Sequence, residues 1–204
     1  LELATTPPGC TSKKKTKTVT FLNNLLFQKS LMAKLRKGVA YRKIERPYTR
    51  KSKYRKKNLV RATPHNLIVK YEMGDLKRKF EYRIDVNSKE AVQIRHNALE
   101  AARKSSNRVL EKKTGKTGFK LKIRVYPHHI LRENPTATGA GADRMSTGMK
   151  KSFGKPIGLA AQVRPGQTIF EVHVDKPHLE TGKMAAKRII SKMPCKCQIL
   201  VNKN

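Results

Sequence analysis

The chain is poor in acids. Its 204 residues carry 14 Asp and Glu against 47 Lys and Arg, a formal net charge of +33. General acid–base pairs and two-metal centres need clustered carboxylates, and here the acids stand one by one along the sequence. Cysteine is also scarce. Cys10, Cys195 and Cys197 make no disulfide framework, which fits a reducing, intracellular setting. No run of about 18 apolar residues is present, so no segment reads as a membrane-spanning helix. There is no internal repeat.

What the chain has instead is positive charge. Self-repulsion at +33 works against a compact free protein, so a polyanionic partner is implied. The basic residues are not gathered on one amphipathic helix, which disfavours a membrane surface and favours nucleic acid. The length suits one domain of ordinary size with extensions. Residues 1–31 are Thr-rich and Lys-bearing with one acid, Glu2. Their apolar run "VTFLNNLLFQKSL" is broken by Asn23-Asn24 and lacks the unbroken core of a signal peptide; a mitochondrial-type presequence fits somewhat better. Composition changes at "MAKLRKG". Met32 is therefore expected to be the biological start, with 1–31 as upstream sequence or a poorly ordered extension.

Residues 32–65 read as a basic arm. Between 32 and 61 stand Lys34, Arg36, Lys37, Arg42, Lys43, Arg46, Arg50, Lys51, Lys53, Arg55, Lys56, Lys57 and Arg61, thirteen cations against Glu45 alone. Such a segment cannot bury a core of its own. Tyr41, Tyr48 and Tyr54 recur among the cations. They can stack on bases or pack on sugars, or they can pin the arm to the domain.

The folded part is expected over 66–202. "NLIVKYEM" (66–73) reads as a strand followed by a Gly74-Asp75 turn. "KRKFEYRIDV" alternates Phe80, Tyr82, Ile84 and Val86 on one face. Asn87 with Glu90 reads as the capping box of a helix running to about Lys113, its buried stripe Ala91, Ile94, Ala98, Ala101, Ala102 and Val109. "GFKLKIRVY" turns Phe119, Leu121, Ile123 and Val125 inward and Lys120, Lys122 and Arg124 outward, where they are candidate RNA contacts. "IGLAAQV" and "TIFEVHV" flank Arg164-Pro165-Gly166-Gln167, a type II turn expected to close a hairpin. Asp175 is the expected N-cap of a second helix, about 176–192, with Leu179, Gly182, Ala186, Ile190 and Met193 buried; "CQILV" is a last strand. The expected architecture is α+β: a mainly antiparallel sheet with two helices packed on it, a long Gly-rich loop and the basic arm.

The Gly-rich loop spans about 132–156. A nucleotide-binding P-loop needs Gly, four residues, Gly-Lys and then Ser or Thr. Gly148 to Gly154 encloses five residues, and Lys155 is followed by Pro156. "TGKTG" (114–118) has Leu110 where the first glycine belongs, and Gly139-Ala140-Gly141 has Arg144 in the third glycine's place. Each match fails at a residue the chemistry needs. The loop's glycines allow close backbone approach, and Arg144, Lys150, Lys151 and Lys155 put charge there, with Met145, Met149 and Phe153 able to pack on sugars or bases. Asp143 reads as a local partner of Arg144. His128-His129, on an extended strand, would point to opposite faces, one packed and one exposed, with no nucleophile or third ligand beside them. Cys195-Lys196-Cys197 is either half a metal site or, more plainly, two small apolar residues leading into a strand; no second pair stands at ligand spacing.

"IRVYPHHILREN", "GAGADRMSTGMKKSFGKPIG" and "VRPGQTIFEV", preceded by "VQIRHNALEAARKSSNRVLEKK", resemble the archaeal and eukaryotic form of the large-subunit ribosomal protein L sixteen family, called L ten e in archaea and QM in eukaryotes. The match runs in order over about 66–202. The arm is similar in kind but lacks the Arg-Pro opening and Tyr-Cys-type segments of relatives, and 1–31 have no counterpart. The resemblance implies a cytoplasmic structural protein of the large subunit, neither enzyme nor cofactor-binding nor membrane-bound. It implies contacts to large-subunit rRNA near 5S rRNA, to neighbouring ribosomal proteins, and to A-site and P-site tRNA. It also implies that the loop, hinged by Arg132 and Asn134, reaches toward the peptidyl-transferase centre with Thr136, Thr138, Gly139, Gly141, Asp143, Arg144, Met145 and Ser146. Pro135 stands where relatives usually carry Lys, which leaves one RNA or tRNA contact open and stiffens the hinge. The competing readings are an RNA-processing or nucleotide-dependent enzyme and a DNA-compacting protein; the second gives no reason for the glycine loop.

Overall fold

The computed structural model describes residues 36–49, 60, 63–133 and 154–203. The chain divides into two compact units, Leu1–Lys37 and Gly38–Asn204, and of the first only residues 36–37 are described. In chain order the second unit holds β1 (Glu72–Gly74), β2 (Tyr82–Ser88), β3 (Val92–Arg95), α1 (His96–Thr114), β4 (Phe119–Ile123), β5 (His129–Glu133), β6 (Lys155–Val163), β7 (Thr168–Val174), α2 (Leu179–Ile190) and β8 (Cys197–Lys203). The strands form two antiparallel sheets rather than one. The larger has the order β1-β4-β7-β2-β8 and the smaller β3-β6-β5.

Alternation decides the larger sheet. Phe119, Leu121, Ile123 and Val125 are buried, while Lys120, Lys122 and Arg124 face out, as the period of two requires. Ile84 and Val86 on β2 and Phe170, Val172 and Val174 on β7 are likewise buried. Residues 66–73 are strand only from Glu72. The preceding segment is held by its own side chain, with the Ile68 N–H donating to Asn66 Oδ1 and the Asn66 amide donating to Tyr71 Oη.

The expected hairpin across Arg164–Gln167 does not form. The turn is there, with Gly166 at φ 78° and the Gln167 N–H donating to Arg164 O, but β6 and β7 lie in different sheets. Both edges of β7 are occupied by β4 and β2, and both edges of β6 by β3 and β5. The turn is instead a corner. β2 pairs with β7 and β3 pairs with β6, so a single two-stranded ribbon passes from one sheet into the other. Ser88 holds this corner: its N–H donates to Gln167 O and its C=O accepts from Gly166 N–H.

The same corner explains the misplaced start of α1. Asn87 and Ser88 end β2, and the Ser88 hydroxyl donates to Glu90 O, so the capping-box residues serve a local turn. Val92 and Ile94 are buried as strand residues, and the helix starts at His96. Its buried face is Leu99, Ala102, Ser106 and Leu110; of the expected stripe within the helix only Ala102 is buried, Ala98 and Val109 are half-buried, and Ala101 is exposed. Glu100 and Arg103 are buried with it as a bidentate pair at 2.8 and 2.6 Å. The Arg103 bond holds the Glu100 carboxyl below the usual carboxylate range. The Ser106 hydroxyl donates to Ala102 O.

The two helices pack on each other. α2 lies on β2 and β7, while α1 reaches β4 of the larger sheet and β3 and β6 of the smaller, so one main core spans both. The chain enters α2 through a 3-10 turn, Lys176–His178; Asp175 makes no side-chain cap and pairs with Arg78 at 2.6 Å. Gly182 lets α2 approach β2 and β7. A Cβ there would stand 2.6 Å from Ile84 Cδ1 and 3.1 Å from Val174 Cγ2. Gly182→Ala should therefore destabilise the domain by about 1–3 kcal/mol through overpacking, read as a lower urea midpoint; an unchanged or raised midpoint would show that the core yields without cost.

Candidate nucleic-acid interface

One face of the smaller sheet contributes Val92, Ile94, Ala161 and Val163 to the main core. The other, with Gln93, Ala160 and Gln162, is crossed by the arm, whose Tyr48 packs on Ile130 and Leu159 of the first face. Residues 38–49 cross the three strands and are tied at each one. The Gln93 N–H on β3 donates to Arg42 O at 3.0 Å, the Gln162 side chain on β6 donates to Glu45 O at 2.8 Å, and the Ile130 N–H on β5 donates to Tyr48 O at 2.9 Å. Gln93 and Gln162 are register partners and also bond each other; Gln93 donates further to Tyr41 O. Burying the Gln93 amide is tolerable because its Nε2 and Oε1 both have partners.

Tyr41 and Tyr48 fix the arm. Tyr41 is buried with Leu131 and Ala160, and its hydroxyl donates to Glu133 at 3.1 Å. Tyr48 packs against Val60, Ile130 and Leu159, and its N–H donates to His129 Nδ1 at 3.0 Å. The Arg132 guanidinium lies 3.7 Å from the Tyr48 ring centre, and that of Arg95 lies 5.8 Å from the Tyr41 ring centre. Of the two roles open to the tyrosines, these two pin the arm; Tyr54 lies outside the described residues. His129 is the packed histidine of its pair and His128 the exposed one, its ring against Tyr126.

The same residues hold the root of the Gly-rich loop. β5 and β6 pair as far as Arg132↔Pro156 and Glu133↔Lys155, with a bulge between Leu131 and Arg132. Both tyrosines of the strap therefore touch the last described residues of β5. Lys155 at this root is exposed, as are Arg42, Lys43 and Arg46 of the arm.

Other expected contacts are not brought to this face. Lys120, Lys122 and Arg124 lie on or beside β4 in the larger sheet. There the Lys122 ammonium sits 2.5 Å from Glu72, the Arg124 guanidinium 3.1 Å from Glu171, and Lys120 donates to Leu76 O. Lys34, Arg50, Lys51, Lys53, Arg55, Lys56, Lys57 and Arg61 of the arm lie outside the described residues. So do Asn134, Thr136, Thr138, Gly139, Gly141, Asp143, Arg144, Met145, Ser146, Lys150 and Lys151 of the loop. Sequence reasoning passes over Gln93 and Gln162, which look like ordinary strand residues. It also passes over a groove of about 450 Å³ lined by Lys77, Arg78, Lys79, Lys120 and His173 with Leu76 and Phe80. His96, at the start of α1 and close to Gly158, is missed too; burial first, then the charges of Arg95 and His65, lower its pKa. Among the described residues no three His, Cys, Asp or Glu side chains gather to hold a metal, and no helix is long and apolar enough to cross a membrane.

A family model described as ribosomal protein L16p/L10e matches residues 49–200. The chain belongs to this family. Membership makes it a ribosomal protein rather than an enzyme. Among curated L16p/L10e relatives, the "large ribosomal subunit protein uL16" of Archaeoglobus fulgidus is 45% identical over 163 residues, covering 80% of this chain and 90% of that protein. Its namesake from Staphylothermus marinus is 47% identical over 154 residues, 76% and 85% of the two chains. That from Methanococcus aeolicus is 45% identical over 170 residues, 83% and 95%. The L16p/L10e resemblance in the sequence motifs is thus borne out along most of the chain.

If the strap fixes the loop root, Tyr48 and Arg132 are energetically coupled. A double-mutant cycle with Tyr48→Leu and Arg132→Met should give a coupling of about 0.5–1 kcal/mol in chemical denaturation. Additive single effects would mean that the ring and guanidinium only happen to be neighbours.

Proposed function

We propose that the chain is a structural constituent of the large ribosomal subunit that binds large-subunit rRNA through its arm and the root of its Gly-rich loop. Its partners are rRNA, in the vicinity of 5S rRNA, and neighbouring ribosomal proteins. Its loop, root held by the strap, reaches toward the peptidyl-transferase centre and helps shape the corridor for A-site tRNA, with P-site tRNA close by. Family membership supports the coarser part of this reading. The finer part rests on one observation: Tyr41 and Tyr48 tie the basic arm to Glu133 and Arg132 at the loop root. RNA held by Arg42, Lys43 and Arg46 would then also orient the loop. No step of chemistry is assigned to the protein. Its work is positioning, through phosphate contacts that set register and carry most of the affinity.

Two outcomes follow. With on the order of ten phosphate contacts, binding of the full chain to large-subunit rRNA should fall with salt at a log–log slope of roughly −7 to −9. Replacing Arg42, Lys43 and Arg46 together by Gln should make that slope shallower by about 2–3 without lowering the unfolding midpoint; an unchanged slope would remove the arm from the interface. Deleting 136–146 should leave folding and subunit incorporation largely intact while impairing subunit maturation or tRNA accommodation. A deletion that unfolds the domain, or one that leaves translation untouched, would count against the loop's role.

A further inference from the structure

Cys195 and Cys197 are used by nothing in the proposed function. They stand where the chain leaves α2 and begins β8. Residues two apart in an extended segment present their side chains on one face, and the two Sγ atoms lie 3.6 Å apart. The segment is held in place by Ser88, which pairs with Cys197 across the β2–β8 ladder, and by the Lys89 N–H, which donates to Lys196 O. Ser88 Oγ also lies 3.6 Å from Cys195 Sγ. Both thiols are half-buried and the intervening Lys196 is exposed. The contact with Cys197, helped by the Ser88 hydroxyl, lowers the Cys195 pKa to about 6 against the opposing effect of burial, while the Cys197 pKa is raised. Contact between the two sulfurs thus eases loss of the pair's first proton and hinders loss of the second. A metal reading fails for want of further ligands: no His, Cys, Asp or Glu group of three forms among the described residues. A purely apolar reading leaves the sulfur–sulfur approach without a role.

We propose that Cys195 and Cys197 form a reversible dithiol–disulfide site, oxidised by small-molecule disulfides of the glutathione class. The Cys195 thiolate attacks one sulfur of the oxidant, whose disulfide bond breaks; the first glutathione leaves as a thiolate and takes a proton from water. Cys197 gives its proton to water as its sulfur attacks Cys195 Sγ, and the second glutathione leaves and is protonated. Two protein thiols become one disulfide, and one oxidised glutathione becomes two thiols. The second attack is intramolecular and starts from van der Waals contact, so ring closure outruns accumulation of the mixed disulfide. The sulfurs need only close from 3.6 Å to about 2.05 Å. The bond would fix the first residues of β8 against Ser88, the residue that also holds the corner between the sheets.

The test uses the full chain, free of RNA, with Cys10→Ser so that only this pair reacts. The reduced protein is equilibrated in a glutathione redox buffer, remaining thiols are alkylated, and the protein is weighed intact and after trypsin. Trypsin cuts after Lys196, so residues 193–196 and 197–203 stay together only through a disulfide. The expected product is lighter by two hydrogens, gives the joined peptides and reverts with dithiothreitol. Cys197→Ser should instead trap one glutathione on Cys195. The proposal is overturned if both thiols are alkylated under conditions that oxidise a reference dithiol peptide, or if the protein gains two separate glutathiones. Both of these results are read in the Cys10→Ser protein itself, so they stand even if a further variant fails to fold.

Discussion

Everything in the domain hangs on a corner of a two-stranded ribbon. Strands β2 and β7 are paired in the larger sheet; a few residues on, their continuations β3 and β6 are paired in the smaller one. The ribbon can bend there because Gly166 adopts a positive φ, which glycine allows without a Cβ penalty, and because Ser88 satisfies the backbone groups that the bend would otherwise strand. The bend makes α1 possible. A single helix lies against both sheets, and Leu99, Ala102 and Leu110 become one core with residues from each. It also means that the strand running out to the Gly-rich loop, β6, continues through the corner into β7, which lies at the centre of the larger sheet. The loop root is thus continuous with the central strand of the larger sheet.

A chain at +33 must still fold, and the distribution of its few acids shows how. Glu72 lies against Lys122, Asp85 against Arg83, Glu100 against Arg103, Glu171 against Arg124 and Asp175 against Arg78. Most of these pairs are partly exposed, so each is worth no more than about 1 kcal/mol. Their importance is where they leave the surplus. Repulsion is lowered within the sheet-and-helix body, while the arm has thirteen cations and a single acid between 32 and 61. The described part of the arm is tied to the smaller sheet through Tyr41, Tyr48 and backbone hydrogen bonds. Arg42, Lys43 and Arg46 stay exposed while it is so tied.

How much of this was legible depended on whether the signal was local. β4 was readable because Phe119, Leu121 and Ile123 alternate with basic residues over a core-facing strand, and a period of two has one interpretation there. The start of α1 was not. Asn87 and Glu90 have the spacing of a capping box, and four residues, Val92–Arg95, are too few to declare a strand by periodicity. The face of α1 was rotated for a different reason: Glu100 and Arg103 bury each other, so two of the most polar residues lie on the packed side. The division into two sheets left no local trace at all, since Arg-Pro-Gly-Gln reads the same at a hairpin and at a corner. For the site, the basic character of the arm was plain in composition. What it crosses was not, because Gln93 and Gln162 sit a long way from Arg42 and Glu45 in sequence and only the fold brings them together.

The corner also bears on the Gly-Lys at 154–155. A phosphate cradle of the nucleotide-binding kind places its lysine at the first turn of a helix, where free N–H groups and the helix dipole meet the phosphates. Lys155 is instead a strand residue, paired with Glu133 and followed by Pro156, which has no N–H to offer. The described chain on both sides of the loop is therefore β-strand, and the two strands are antiparallel partners. Among the described residues no helix begins at Lys155; the geometry of this stem instead sets an exposed lysine across from Glu133, next to Arg132 and the Tyr48 ring of the arm. Such a stem suits a repeating backbone of phosphates, which needs charges spaced along a surface. A single nucleotide needs donors converging on one point, and around Lys155 a helix N-terminus would have had to provide them.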